Sequence, residues 1–114
     1  MVQNYLIKTK VTELDSVAYG AKTTIEDYAR FKEKLPDSEN DVDLNPLTEP
    51  KYLRTMSWND GTLTIEANSD RLGLPDDQEL SLVYEAMVND GNIRWVCTAY
   101  GATRFAPREC GDGV

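Results

Sequence analysis

The sequence predicts an α+β domain in which one long N-terminal helix covers a four-stranded antiparallel sheet. Three observations carry this. Apolar residues recur at helical spacing up to residue 35 and at every second position from residue 52 onward. Two Asn-Asp-Gly triplets interrupt the second half where tight hairpins would turn. A sheet of this kind has an apolar face to bury, and the helix stripe is the only cover the chain offers.

The helix is expected over residues 4–35. Val11, Leu14, Ala18, Ala21, Ile25, Tyr28 and Leu35 step by three, four or seven. Lys8, Lys10, Glu13, Lys22, Glu26, Asp27, Arg30 and Glu33 occupy its other faces. Pro36 ends it, because the residue before a proline is pushed out of the α region. A helix of this length spans roughly 45 Å at 1.5 Å per residue. Gly20 within it costs about 1 kcal/mol relative to alanine.

A loop follows over 36–51, where Pro36, Asp37, Asp41, Asn45, Pro46 and Pro50 disfavour regular structure. Tyr52–Trp58 reads as the first strand, turned by Asn59-Asp60-Gly61 into Leu63, Ile65 and Ala67. A second loop with Gly73 and Pro75 covers 68–78. Leu80, Leu82, Tyr84, Ala86 and Val88 then alternate with Ser81, Val83, Glu85 and Met87. Asn89-Asp90-Gly91 turns that strand into Ile93, Trp95 and Cys97. The sheet therefore covers 52–98, in two hairpins.

The chain has 114 residues, enough for one domain at 1–114. It contains no histidine. That excludes Ser-His-Asp, Cys-His and His-zinc chemistry. Carboxylates are plentiful, but no pair is marked by distinct environments, so no enzymatic activity and no cofactor are expected. Twenty acidic residues face twelve basic ones, a net charge of -8. The acid is concentrated in residues 36–91, with thirteen acidic and three basic side chains. Such a surface repels nucleic acid as a whole. Asp37, Glu39, Asp41, Asp43 and Asn45 share the alternation of a calcium loop, but Val42 and Thr48 stand where Gly and Glu are needed. The segment reads as a solvated acidic loop, with no metal.

Cys97 and Cys110 are the only cysteines. They fit two readings, a pair of buried free thiols or one disulfide. A bond between them closes a loop of about 14 residues, which the chain-entropy model credits with roughly 3 kcal/mol. Arg94, Tyr100, Arg104, Phe105 and Arg108 lie in or beside this stretch. They are candidates for a small basic-aromatic recognition patch, including contact with DNA phosphates and bases. Tyr5, Tyr19, Tyr28 and Phe31 on the helix are read as packing residues rather than an electron path.

Four stretches together resemble a type IV pilin of the type IVa kind. Tyr5-Leu6-Ile7-Lys8 through Val11-Thr12-Glu13-Leu14 resembles the pilin helix just after its membrane-spanning half. Gly20-Ala21-Lys22-Thr23, with Glu26, Tyr28 and then Leu35-Pro36, resembles the end of that helix. The strands over 52–98 match in order and spacing. Ile93-Arg94-Trp95-Val96-Cys97 with Ala106-Pro107-Arg108-Glu109-Cys110 resembles the W-x-C … P-x-x-C ending of these subunits.

The resemblance implies a Cys97–Cys110 disulfide pinning a C-terminal loop, 97–110, to the last strand. It implies a major filament subunit serving adhesion, twitching motility or aggregation. The expected partners are other pilin subunits, the inner-membrane assembly machinery and a host surface receptor. Contact with membrane is expected only through an apolar N-terminal segment that this chain lacks, trimmed for solubility. The expected location is the extracellular pilus, after an inner-membrane stage. The alternatives are a minor pilin that captures DNA and a type II secretion pseudopilin, the latter disfavoured by the cysteine pair.

Overall fold

A computed structural model describes residues 2–46, 49–75 and 77–113, with side chains from Leu6 onward. The side chain of Tyr5 and the loop positions Leu47 and Thr48 lie outside the described residues. Helix α1 runs over Val2–Lys32 and is 31 residues long. At 1.5 Å per residue it accounts for the longest dimension of the molecule, 46 Å.

The helix stops three residues before the expected end. Arg30 and Lys32 sit in its last turn, where cations suit the negative helix terminus. Glu33 then takes a left-handed conformation, φ 61°, and its N–H still donates to the Ala29 carbonyl at 2.8 Å. The reversal brings Leu35 back against the core. Pro36 is buried, and its carbonyl accepts the Trp58 indole N–H at 2.9 Å. The chain thus leaves the helix early because Leu35 and Pro36 close the end of the core.

Among the described residues five strands follow: β1 (Leu53–Asn59), β2 (Thr62–Ala67), β3 (Leu80–Asn89), β4 (Asn92–Gly101) and β5 (Cys110–Asp112). Their order in the sheet is β1-β2-β3-β4-β5. The first four are antiparallel meander strands, as their alternation predicts. Both hairpins turn on Asp-Gly pairs with positive φ, 51° and 76° at Asp60 and Gly61, 52° and 80° at Asp90 and Gly91. That is the backbone twist a two-residue hairpin needs. The fifth strand corrects the four-stranded expectation. It pairs parallel to β4, Cys97 opposite Cys110 and Ala99 opposite Asp112. The 68–78 loop also holds a short helix, α2 (Ser69–Leu72), capped by the Asn68 side chain and buried through Leu72.

The core lies between α1 and one face of the sheet. Ile7, Val11, Leu14, Ala18, Ala21 and Ile25 of the helix meet Trp58, Leu63, Ile65, Leu80, Leu82 and Tyr84. Trp58 and Trp95 pack edge to face at 6.0 Å. Alternation weakens at the tip of the long hairpin, where Val88 is exposed.

Charged residues flank the helix stripe as two rails. On one side Glu13 accepts the Tyr52 backbone N–H at 2.7 Å, and the Lys10 ammonium lies 5.8 Å from the Tyr52 ring. On the other side Glu26 accepts the Trp95 indole N–H at 2.8 Å, and Lys22 lies 4.7 Å from the Tyr84 ring. These half-buried charges fix the helix laterally on the sheet. The outer face is different. Between residues 9 and 24 every exposed position is uncharged: Thr9, Thr12, Ser16, Tyr19, Gly20 and Thr23.

Candidate functional site

The sheet edge formed by β4, β5 and the chain between them is the most built surface of the molecule. Gly101 starts it. Its φ is +91°, and a Cβ there would overlap the Glu79 carbonyl. Only glycine lets β4 approach so close before the chain turns away. The next residue, Ala102, is buried and donates its N–H to that same carbonyl at 2.7 Å. Gly101→Ala is therefore expected to cost about 2 kcal/mol or more, readable as a lower urea midpoint with unchanged slope.

The chain then makes one tight helical turn over Thr103–Phe105, which packs against α1. Phe105 plugs the core and is only 2% exposed. Pro107 to Cys110 forms a turn, with the Cys110 N–H on the Pro107 carbonyl at 3.0 Å. Cys97 and Cys110 are disulfide-bonded, their Cα atoms 4.5 Å apart. The Gly113 N–H donates to the Ala99 carbonyl at 2.7 Å. The segment is thus held by strand pairing, by an apolar plug and by one covalent bond.

The five recognition candidates do not form one patch. Arg94 and Tyr100 share the outer face of β4 but are six residues apart, about 20 Å along an extended strand. Tyr100 is exposed, with Gly113 packed against its ring. Arg104 lies beyond the strand end. Its guanidinium sits 4.4 Å from the Phe105 ring and donates to Gln78 Oε1 at 2.8 Å. Phe105 is corrected from surface residue to core residue. Its ring anchors the turn instead of meeting a ligand. Arg108 is exposed beside the disulfide. Among the described residues, neither Arg94 nor Arg108 is in an ion pair.

Beneath the edge lies a polar group that local sequence patterns do not reveal. The Tyr84 hydroxyl, on β3, donates to Asp15 Oδ1 on α1 at 3.4 Å. The Glu109 carboxylate, one residue before Cys110, acts on Asp15 electrostatically. Burial first, then Glu109, holds the Asp15 carboxyl above its ordinary range, and Lys22 partly opposes this. The Tyr84 hydroxyl is pushed well above its usual value, by burial first and then by the two carboxylates.

On the opposite sheet edge the acidic loop uses its carboxylates to satisfy backbone donors. Asp41 accepts the N–H groups of Asp37 and Ser38, and Asp43 that of Asn45. Glu39 accepts the Trp58 N–H at 3.2 Å, so the loop covers the outer edge of β1. Among the described residues, no group of three or more acidic or cysteine side chains converges as a metal site would require. No helix among them is long and apolar enough to cross a membrane.

No curated protein matches the chain by sequence. The family model for pilin, a bacterial filament, matches residues 7–111. That span runs from the buried start of the helix stripe to the strand behind the disulfide. A long helix on a mostly antiparallel sheet, with its C-terminal edge stapled by Cys97–Cys110, is consistent with that match, and the chain belongs to the pilin family.

Proposed function

We propose that this chain is a major, filament-forming subunit whose role is mechanical, serving adhesion, twitching motility or aggregation. The observation that carries this reading is the uncharged outer face of α1. A helix facing solvent for life normally carries charge there. Here the exposed residues are small or neutral, and hydroxyls are turned inward. Thr12 donates to the Thr9 carbonyl at 2.6 Å, and Thr23 to the Tyr19 carbonyl at 3.0 Å. Such a face is desolvated without stranding a donor. Its natural cover is the same face, or another part, of neighbouring subunits. The globular sheet then forms the skin of the filament, with the Cys97–Cys110 edge displayed.

In this reading Tyr100 and Arg108 are the exposed contacts of that edge for a receptor or a neighbouring subunit. Assembly at the inner membrane and capture of a host surface belong to the same proposal. The test is peptide counting by mass spectrometry on filaments sheared from the source cells. Peptides covering 55–71 are expected to dominate. Trace amounts would make the chain a minor subunit and move attention to Arg94, Arg104 and Arg108 as separate DNA or ligand contacts.

A further inference from the structure

We propose that the disulfide-closed turn carrying Arg108 is a plug for an acid-rimmed groove beside helix α1, and that the plug comes from a second copy of this chain. The inference rests on the filament reading above and names the two surfaces that meet in it.

The groove runs between α1 and the acidic loop, with a volume of about 590 Å³. Val17 and Ala21 of the helix and Leu44 of the loop give it apolar walls. Glu13, Asp43 and Glu49 also line it, and among the described residues no lysine or arginine does. Glu13 and Asp43 are held in place by the backbone N–H groups of Tyr52 and Asn45. Apolar walls with three carboxylates suit a cation on an apolar stem, and arginine pairs best with carboxylates. The groove also shares Ser16 and Gly20 with the uncharged outer face of α1, so one partner can cover both.

The other side of the molecule supplies that chemistry. Residues 102–108 carry two arginines and no carboxylate. Arg104 is already engaged by Gln78 and the Phe105 ring. Arg108 is exposed, follows Pro107, and stands on a turn closed by the Cys110 N–H and by the disulfide. A side chain on a turn already fixed costs little further ordering on docking. Glu109 and Asp112 share this edge, so the fit belongs to the arginine-bearing turn and not to the edge as a whole.

Placement decides that the two belong to different copies. Glu13 is bonded to Tyr52, one residue before β1, so the groove lies on the β1 side of the sheet. The turn lies on the β5 side, at the other end of the strand order. The molecule is 28 Å across its second dimension, and no chain seats Arg108 in its own groove. Yet the two features are level along α1. Tyr84 bonds Asp15 and lies opposite Cys97, which is joined to Cys110. The groove is lined by the helix from Glu13 to Thr24. A copy set beside another in the same orientation therefore brings plug to groove with little shift along the helix. Such a head-to-tail contact leaves one plug and one groove free, so it propagates into a ring or a helical filament.

The test places the photo-cross-linker benzoylphenylalanine at position 108 of the full-length protein in the source cells. Sheared filaments are irradiated and their peptides mapped by mass spectrometry. Cross-links to residues 13–24 or 43–50 are expected, and the span within one chain makes them intermolecular. Arg108→Glu and Glu49→Arg should each lower filament yield about tenfold, and the double variant should recover to within about threefold of the parent. Melting curves of the isolated domains, unchanged in all three, exclude loss of folding. Filaments rich in this chain whose cross-links fall on the outer sheet face, or on no second copy, would overturn the plug and leave the filament reading standing. Links that form only on contact with host cells would make Arg108 a receptor contact and overturn it too. Only trace amounts of the chain in filaments would overturn both readings.

Discussion

Trp58→Ala is expected to lower stability by about 3–5 kcal/mol, the range for truncating a large buried aromatic. For a chain of this size that lowers the melting temperature by more than about 10 °C. Three losses coincide at this position. Trp58 is 1% exposed and fills the space between the helix end and the sheet. Its ring packs on Trp95, which in turn is held by Glu26. Its indole N–H is the partner of the buried Pro36 carbonyl. Trp58→Phe separates these effects. The ring largely survives, but the Pro36 carbonyl loses its donor, which costs about 1–3 kcal/mol. If Trp58→Phe proves as damaging as Trp58→Ala in thermal and urea melts, packing on Trp95 is not the main contribution.

Ser16→Glu combined with Thr23→Glu is expected to abolish filaments while leaving the domain folded. Both positions are exposed on the outer face of α1, so the isolated domain should lose no more than about 0.5 kcal/mol. In a filament the same carboxylates would be buried without partners, at a cost of several kcal/mol per subunit. Each 1.4 kcal/mol is a factor of ten in association, so sheared filament yield should fall at least about a hundredfold. The control is Ser16→Ala with Thr23→Ala, which should assemble as the parent does. Normal filaments from the glutamate variant would place the intersubunit contact elsewhere.

The helix and the four meander strands were legible because each has a local signal. The stripe Val11, Leu14, Ala18, Ala21 and Ile25 is buried as its spacing requires. The Asp-Gly hairpins turn where the triplets stand. The fold elements that escaped are those whose cause is distant. Strand β5 is Cys-Gly-Asp, with no apolar alternation, and owes its place to β4 and the disulfide. The helix end depends on Leu35 and Pro36 docking against Trp58, more than twenty residues away. The arginine candidates were grouped by nearness in sequence. A strand places Arg94 and Tyr100 far apart, and the Phe105 side chain went to the core because its turn packs on α1. The Asp15–Tyr84 contact joins residues 69 positions apart and leaves no local pattern. The sequence puts charges on the other faces of α1; the half-burial of Glu13, Lys22 and Glu26 beside the stripe is what leaves a neutral strip on the solvent side.

Strand order in the sheet equals strand order in the chain. Each new pairing therefore recruits the segment synthesised next, and loop closure stays cheap until the sheet is nearly complete. Helix α1 comes first in the chain but can bury its stripe only when that sheet exists. Cys110 reaches its partner only after β4 has been laid down, so oxidation is the final stitch of an already ordered edge. A domain with this wiring closes in two late steps, the docking of α1 on the finished sheet and the sealing of the Cys97–Cys110 edge.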